Sequence, residues 1–269
     1  MLNIGFIQFN PVLGNATENI SRLQPLVEKA KYAHLAVIPE LANSGYNFES
    51  REQAFGLSED VSRSLFVEFI VAKAREQNMF IVAGINERSE DKLYNSAILA
   101  GPNGLVGKYR KVHLFMNERD FFERGESEPE VYDTGLCRTG MLICFDWIFP
   151  EFWRILALKG ADIICHPSNL VLPYAQQAVP VHGLINRIFI ITANRTGSEN
   201  DLTFTGQSFI SDPAGNILYK AAADKEEVGI VGVYPTEARN KMITIRNHAF
   251  GDRVPLLYKA LINEDQKTV

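Results

Sequence analysis

The sequence predicts an α/β fold, a four-layer α-β-β-α sandwich with an internal pseudo-two-fold, and two observations carry that expectation. Short apolar, β-rich runs alternate along the chain with segments of helical spacing, which is the pattern of an α/β protein. The second half also echoes the first in the same order. FIITANRTGS at 189–198 echoes FIVAGINERS at 80–89, and SFISDPAGNILYK at 208–220 echoes SAILAGPNGLVGKY at 96–109. IQFN near the start is echoed by ICFDW, and VIPEL around Glu40 by ICHPSN around Ser168. A duplicated β-α-β-α-β-hairpin unit implies two sheets packed face to face with helices outside. A single doubly wound sheet would not need the repeat.

Taken in order, residues 2–9 read as a buried strand, 16–32 as a helix and 35–38 as a second strand. Over 61–78, Leu65, Phe66, Phe69, Ile70, Ala72 and Ala74 fall at helical spacing. Residues 80–85 are strand again. Segments 94–99 and 105–109 flank Gly101-Pro102-Asn103-Gly104, whose turn chemistry marks a hairpin tip. The stretch 111–131 is polar, aromatic and irregular, and a loop of that length inside a domain is usually functional. In the second half, 136–143 reads as strand, 150–158 as helix, 162–165 as strand and 174–186 as helix. No Pro/Gly/Ser-rich linker parts the halves, so residues 1–235 are expected to form one domain. The tail, 236–269, is charged and irregular; Leu256, Leu257 and Tyr258 give it apolar groups for a partner subunit.

Composition narrows the function classes. Of 269 residues, 46% are apolar and 22% charged, so the chain can bury a core and is not disordered. The net charge is −5, with no long basic run, which argues against nucleic acid or an anionic membrane as partner. No run approaches the ~20 apolar residues of a membrane span, and the N-terminus lacks the pattern of a signal peptide. Three cysteines (Cys137, Cys144, Cys165) make no disulfide framework and fit a reducing, cytoplasmic setting. Nucleotide-binding, zinc-protease and serine-elbow motifs are all missing from the sequence. Cys165 and His166 are adjacent on a strand, so their side chains point apart and make no metal site.

Three residues stand out against that background. Cys144 closes an apolar strand just before a helix starting near Pro150, at a sheet end where backbone N–H groups favour an anion. A cysteine in such a strand is by itself more often an inert core residue. Glu40 follows a buried strand that Pro39 stops, and the duplication places it at the same sheet ends as Cys144. Lys111 ends the hairpin strand GKYRK. Alternation puts Tyr109 and Lys111 on one face, Lys108 and Arg110 on the other. A lysine turned inward there would stabilise the oxyanion of acyl transfer.

Glu40 in VIPEL, Lys111 in YRKVHLF and Cys144 in ICFDWIFPE, in that order, resemble the Glu-Lys-Cys triad of the carbon–nitrogen hydrolase (nitrilase) superfamily. The resemblance continues through LANSGYNF, LYNSAILAGPNG, HPSNLVLPY and NRIFIITANRTG, covering most of the chain from Ile4 to Val233. It implies thiol-based hydrolysis of a non-peptide C–N bond with no metal or organic cofactor. Glu40 would take the Cys144 proton, the thiolate would attack, and Lys111 with the Phe145 N–H would hold the oxyanion. The family's frequent second glutamate matches Glu118, with Glu123 and Glu126 as competitors in the same loop. The family also suggests a homodimer with crossing C-terminal arms.

Nitrilases proper resemble Cys-Trp-Glu after the nucleophile, whereas this chain has Cys144-Phe145-Asp146-Trp147. That departure looks more like the amidase and carbamoylase branches. Candidate pocket residues, each beside a motif, are Tyr46, Phe115, Phe145, Trp147 and Asn169. Arg187 and Arg195 are the available carboxylate clamps, but neither sits clearly in a motif. The expected substrate is thus a small, mostly uncharged amide. A nitrilase or N-carbamoyl amidase on the same triad stays open, as does a catalytically silent assembly protein. Cys144 is expected to alkylate faster than Cys137 and Cys165 through thiolate availability.

Overall fold

In a computed structural model, which describes residues 1–262, the first half of the chain lays down β1 (Leu2–Gln8), β2 (Leu35–Val37), β3 (Phe80–Ser89), β4 (Lys92–Gly101) and β5 (Gly104–Arg110). Between them come α1 (Ala16–Lys29), a short α2 (Arg51–Gly56) and α3 (Leu65–Glu76). One turn of helix, α4 (Glu118–Phe121), interrupts the long loop, which ends in β6 (Val131–Asp133). The second half follows with β7 (Arg138–Met141), α5 (Pro150–Leu158), β8 (Ile163–Ser168), α6 (Ala175–Asn186) and β9 (Phe189–Asn194). A small hairpin of β10 (Ser198–Glu199) and β11 (Leu202–Thr203) precedes β12 (Phe209–Ser211), β13 (Ile217–Lys220) and β14 (Glu227–Val233).

The duplication is written in the sheet order. One sheet runs β14-β1-β2-β3-β4-β5, the other β6-β7-β8-β9-β12-β13. In each, the three central strands are parallel and the rest antiparallel. The echoed segments FIVAGINERS and FIITANRTGS supply β3 and β9, which hold the same place in their sheets. The outer strands are exchanged between halves. β6 follows β5 in the chain but pairs with β7, and β14 follows β13 but pairs with β1. Neither strand was read from the sequence: β14 pairs with β1 at the opposite end of the chain, and β6 is only three residues long.

Alternation along each strand serves two cores at once. In the first sheet, Leu35 and Val37 point into the layer between sheets, where they join Phe6, Val82, Met141, Ile163 and Phe189. Their neighbours Ala36 and Ile38 join Leu23 and Val27 of α1 and Phe66 and Ile70 of α3 on the outer side. Both faces are therefore buried, which is why these strands read as continuous apolar runs. Each Val, Leu or Ile so buried contributes about 1.5–3 kcal/mol.

Capping trims the expected helices. The Asn15 side chain accepts from the Glu18 N–H, and Ser64 from the Val67 N–H, so α3 starts at Leu65 rather than at 61. The strand expected over 136–143 shrinks to Arg138–Met141, and Cys144 lies beyond its end. No helix among the described residues is long and apolar enough to cross a membrane.

Candidate active site

Glu40 leaves β2 through Pro39 and is wrapped by β3. The Gly84 N–H donates to the Pro39 carbonyl (3.1 Å), and the Ala42 N–H to the Gly84 carbonyl (3.0 Å). This approach needs glycine, because a Cβ on Gly84 would lie 2.4 Å from the Glu40 Cα. The Glu40 carboxylate is fully buried. Its Oε1 accepts from the Asn95 side chain (2.7 Å) and from Lys111 Nζ (2.7 Å). Its Oε2 has no partner among the described residues, so a free lone pair remains for a proton.

Lys111 ends β5 as the alternation requires. It and Tyr109 turn inward and are buried, while Lys108 and Arg110 both pair with Glu87 on the other side. Its Nζ also donates to Glu118 Oε1 (2.8 Å). Glu118, at the start of α4, accepts from Tyr46 Oη (2.8 Å) as well. Glu123 and Glu126 are exposed, so the loop brings only Glu118 to the lysine. Burial lowers the Lys111 pKa, but Glu118 and Glu40 outweigh it and hold the ammonium above lysine's ordinary value. Glu118 is pushed up to about 7: burial and the Glu40 charge raise it, and Lys111 opposes them.

Cys144 opens a 3-10 turn (Cys144–Ile148) with φ +43°. Such left-handed backbone costs a non-glycine residue about 1–2 kcal/mol and must be held by its surroundings. The holding groups are buried and polar. His166 Nε2 donates to the Cys144 carbonyl (2.9 Å), which fixes the tautomer. Burial lowers the His166 pKa to about 4, so the ring is neutral. Asp146 Oδ2 accepts from the Ile143 N–H (2.9 Å) and from Tyr109 Oη (2.9 Å), and Oδ1 from His113 Nδ1 (2.7 Å).

The thiol departs from expectation. Burial and the nearby Glu40 charge push it well above the ordinary cysteine value, while Lys111 and the Asn169 N–H pull less strongly the other way. Cys144 therefore rests as a thiol. Resting thiolate does not distinguish it from Cys137 and Cys165, whose thiols burial also raises. Any selective reactivity must come through Glu40.

A cavity of about 30 Å³ lies over the thiol, lined by Phe115, Phe145, Trp147, Asn169 and residues 170–172. It shares Phe115 and Val171 with a neighbouring cavity of about 100 Å³ that takes in Tyr46, Phe48 and Glu118. All five pocket residues read from the sequence thus border one or other space. A larger open cleft of about 590 Å³ touches none of the triad residues, and its Arg239 and Lys241 are engaged by Asp162 and by backbone carbonyls. Arg195 is no clamp. It is buried against Glu199 (2.8 Å), whose other oxygen accepts from the Tyr46 N–H (2.8 Å). Arg187 donates to the Asn240 and Pro213 carbonyls.

Sequence reasoning passed over Gly84, Asn95, Tyr109 and His166 as site residues, and read Asp146 only as a departure from a pattern. Asn95 and His166 lie inside motifs already noted, so buried polar residues flanking a triad member were the available signal. Gly84 gave none, because its partner is backbone.

Comparison with known proteins agrees with the fold and identifies the family. The carbon–nitrogen hydrolase model matches residues 3–240, and the chain belongs to that family and is a carbon–nitrogen hydrolase. It is 43% identical over 255 residues to a nitrilase from Pyrococcus abyssi, covering 94% of this chain and 97% of that one. It is 31% identical over 229 residues to an (R)-stereoselective amidase from a Pseudomonas species, covering 83% and 82%. The crystal structure of an amidase from a Nesterenkonia species superposes with a TM-score of 0.79 at 23% identity, covering 97% and 96%. That likeness concerns the fold.

Proposed function

We propose that this hydrolase cleaves the C–N bond of a small neutral amide, releasing ammonia and a carboxylic acid through a Cys144 thioester. The observation that carries the reading is the buried ammonium of Lys111 bridging Glu40 and Glu118, with Glu40 Oε2 left unpartnered near the thiol. Glu40 takes the thiol proton as sulfur attacks the carbonyl carbon. Negative charge then gathers on the carbonyl oxygen, where Lys111 and the Phe145 N–H stabilise it. Collapse expels nitrogen, which receives the proton from Glu40 and leaves as ammonia. Water attacks the thioester with Glu40 again as base, returning the thiol. Glu118 and Tyr46 position Lys111.

The lining supports a neutral substrate. Among the described residues, neither the cavity over Cys144 nor the one adjoining it is lined by a lysine or arginine to pair with a substrate carboxylate. Silence as a mere scaffold is disfavoured, because a buried cation between two carboxylates carries a large desolvation cost that packing alone does not require. Nitrile hydrolysis is the second reading, favoured by the nitrilase name of the 43% identical relative; an N-carbamoyl substrate would use the same triad. The test is kcat/KM for matched pairs such as propionamide and propionitrile. Amide is expected to be faster by about 100-fold, or about 2.7 kcal/mol of transition-state stabilisation. Equal or faster nitrile turnover would replace the amidase reading with the second.

The enzyme is further proposed to work as a cytoplasmic homodimer, with residues 1–235 as the catalytic domain and 236–269 as an arm. In the described part of that arm, Ile245, Leu256, Leu257 and Ile262 are exposed, which supports a covering partner; residues 263–269 lie outside the described residues. Deleting 247–269 should weaken the dimer and lower activity together. A fully active monomer in sedimentation at micromolar concentration would dismiss the arm.

A further inference from the structure

The cavity over Cys144 contains one polar side chain whose orientation is forced and whose second group is left unused. Asn169 follows β8, and its Nδ2 donates to the Glu40 main-chain carbonyl (2.9 Å), joining the two halves of the site. A carbonyl can only accept, so the NH₂ end of the amide must face it. That leaves Oδ1 as the other end. Asn169 is 2% exposed, and its Oδ1 is buried without a partner among the described residues. A buried acceptor left in that state is destabilising until a donor reaches it. Around it, the cavity wall is built from Phe115, Phe145, Trp147 and aliphatic side chains. The residue's own N–H lies against the Cys144 sulfur, which places Asn169 within reach of a group bound at the reacting centre.

We infer that Asn169 Oδ1 accepts a hydrogen bond from the substrate's –NH₂ group, making Asn169 a specificity-determining residue that favours primary amides over acyl donors lacking N–H. This rests on the amidase reading above. A primary amide brings two N–H donors to a site with two unpartnered buried acceptors, Asn169 Oδ1 and Glu40 Oε2. The Glu40 oxygen is occupied by the proton in transit, so Asn169 is the acceptor that stays with the nitrogen throughout acylation. An ester or a nitrile has no N–H there, and would leave Oδ1 desolvated and unpaired. Specificity of this kind comes from a buried polar group that only one substrate satisfies.

The test compares propionamide with methyl propionate in the wild type and in Asn169→Ala. Both substrates form the same propionyl thioester, so the ratio of their kcat/KM values isolates the leaving-group side. Loss of the Asn169 bond to the Glu40 carbonyl affects both and cancels. The amide-to-ester ratio is expected to fall about tenfold or more in the variant. Should Asn169→Ala not fold, Asn169→Leu, close in size, carries the same comparison. Asn169→Asp keeps an acceptor while losing the donor, and is expected to retain most of the ratio. An unchanged ratio in Asn169→Ala or Asn169→Leu, or an equal fall in Asn169→Asp, would overturn the inference while leaving the amidase reading intact. A wild-type enzyme that turned over nitriles but no amide would overturn both.

Discussion

Gly84→Ala tests how the fold aims its general base. A Cβ at this position would lie 2.4 Å from the Glu40 Cα, 2.6 Å from the Leu41 nitrogen and 2.6 Å from the Pro39 oxygen. All three are main-chain atoms, so none can rotate away. Real contacts of this kind stay above 3.0 Å, so β3 and the Glu40 segment must part by about 0.6 Å. Misplacing a reacting group by ~1 Å can cost ~10²-fold, so kcat/KM for propionamide is expected to fall about tenfold or more. Overpacking of this kind also costs about 1–3 kcal/mol, and each kcal/mol lowers Tm by about 2–4 °C in a chain of this size. The assay is steady-state kinetics at a temperature where the variant stays folded, with Gly56→Ala as control. Nothing lies within 4 Å of a Cβ on Gly56, and its activity should match wild type. Wild-type kcat/KM in Gly84→Ala would refute the claim that this backbone approach sets the position of Glu40.

Three further outcomes follow from the same geometry. Lys111→Met removes the cation between two buried carboxylates, so turnover should drop by about 10²-fold or more and stability by about 3–5 kcal/mol, read by kinetics and urea unfolding. His166→Ala strips the donor from the Cys144 carbonyl and should cost about 1–3 kcal/mol together with activity; unchanged stability would show that the strained turn is held by other bonds. Glu118 carries a pH signature. Its folded pKa of about 7 exceeds its ordinary 4.5, so the native state holds that proton more tightly and loses stability as pH rises through this window. Glu118→Gln should therefore gain stability relative to wild type between pH 4.5 and 7, and a flat difference in urea midpoints would reject the shift.

Much of this architecture was legible before any coordinates. The echo between 80–89 and 189–198 located β3 and β9, and alternation in GKYRK located Lys111 on the buried face. The alternation is carried by residues a few positions apart, and the echo is a likeness between two short segments that the sequence spells out directly. What escaped notice depends on distant partners. β14 is a strand because of β1 at the far end of the chain, and Gly84 matters because of backbone more than forty residues earlier. The φ of Cys144 could not be read either, since an apolar run gives no sign of where its strand stops. Burial of the thiol decided its protonation, and burial is a property of the whole sandwich.

The central claim is that the C–N bond is broken by Cys144 through a covalent acyl intermediate. Acid-quenched turnover of propionamide, followed by peptide mass spectrometry, tests it directly. The account expects a propionyl group on the peptide containing Cys144, none on those containing Cys137 or Cys165, and no adduct or turnover in Cys144→Ala. Ammonia release by a folded Cys144→Ala at the wild-type rate would contradict it.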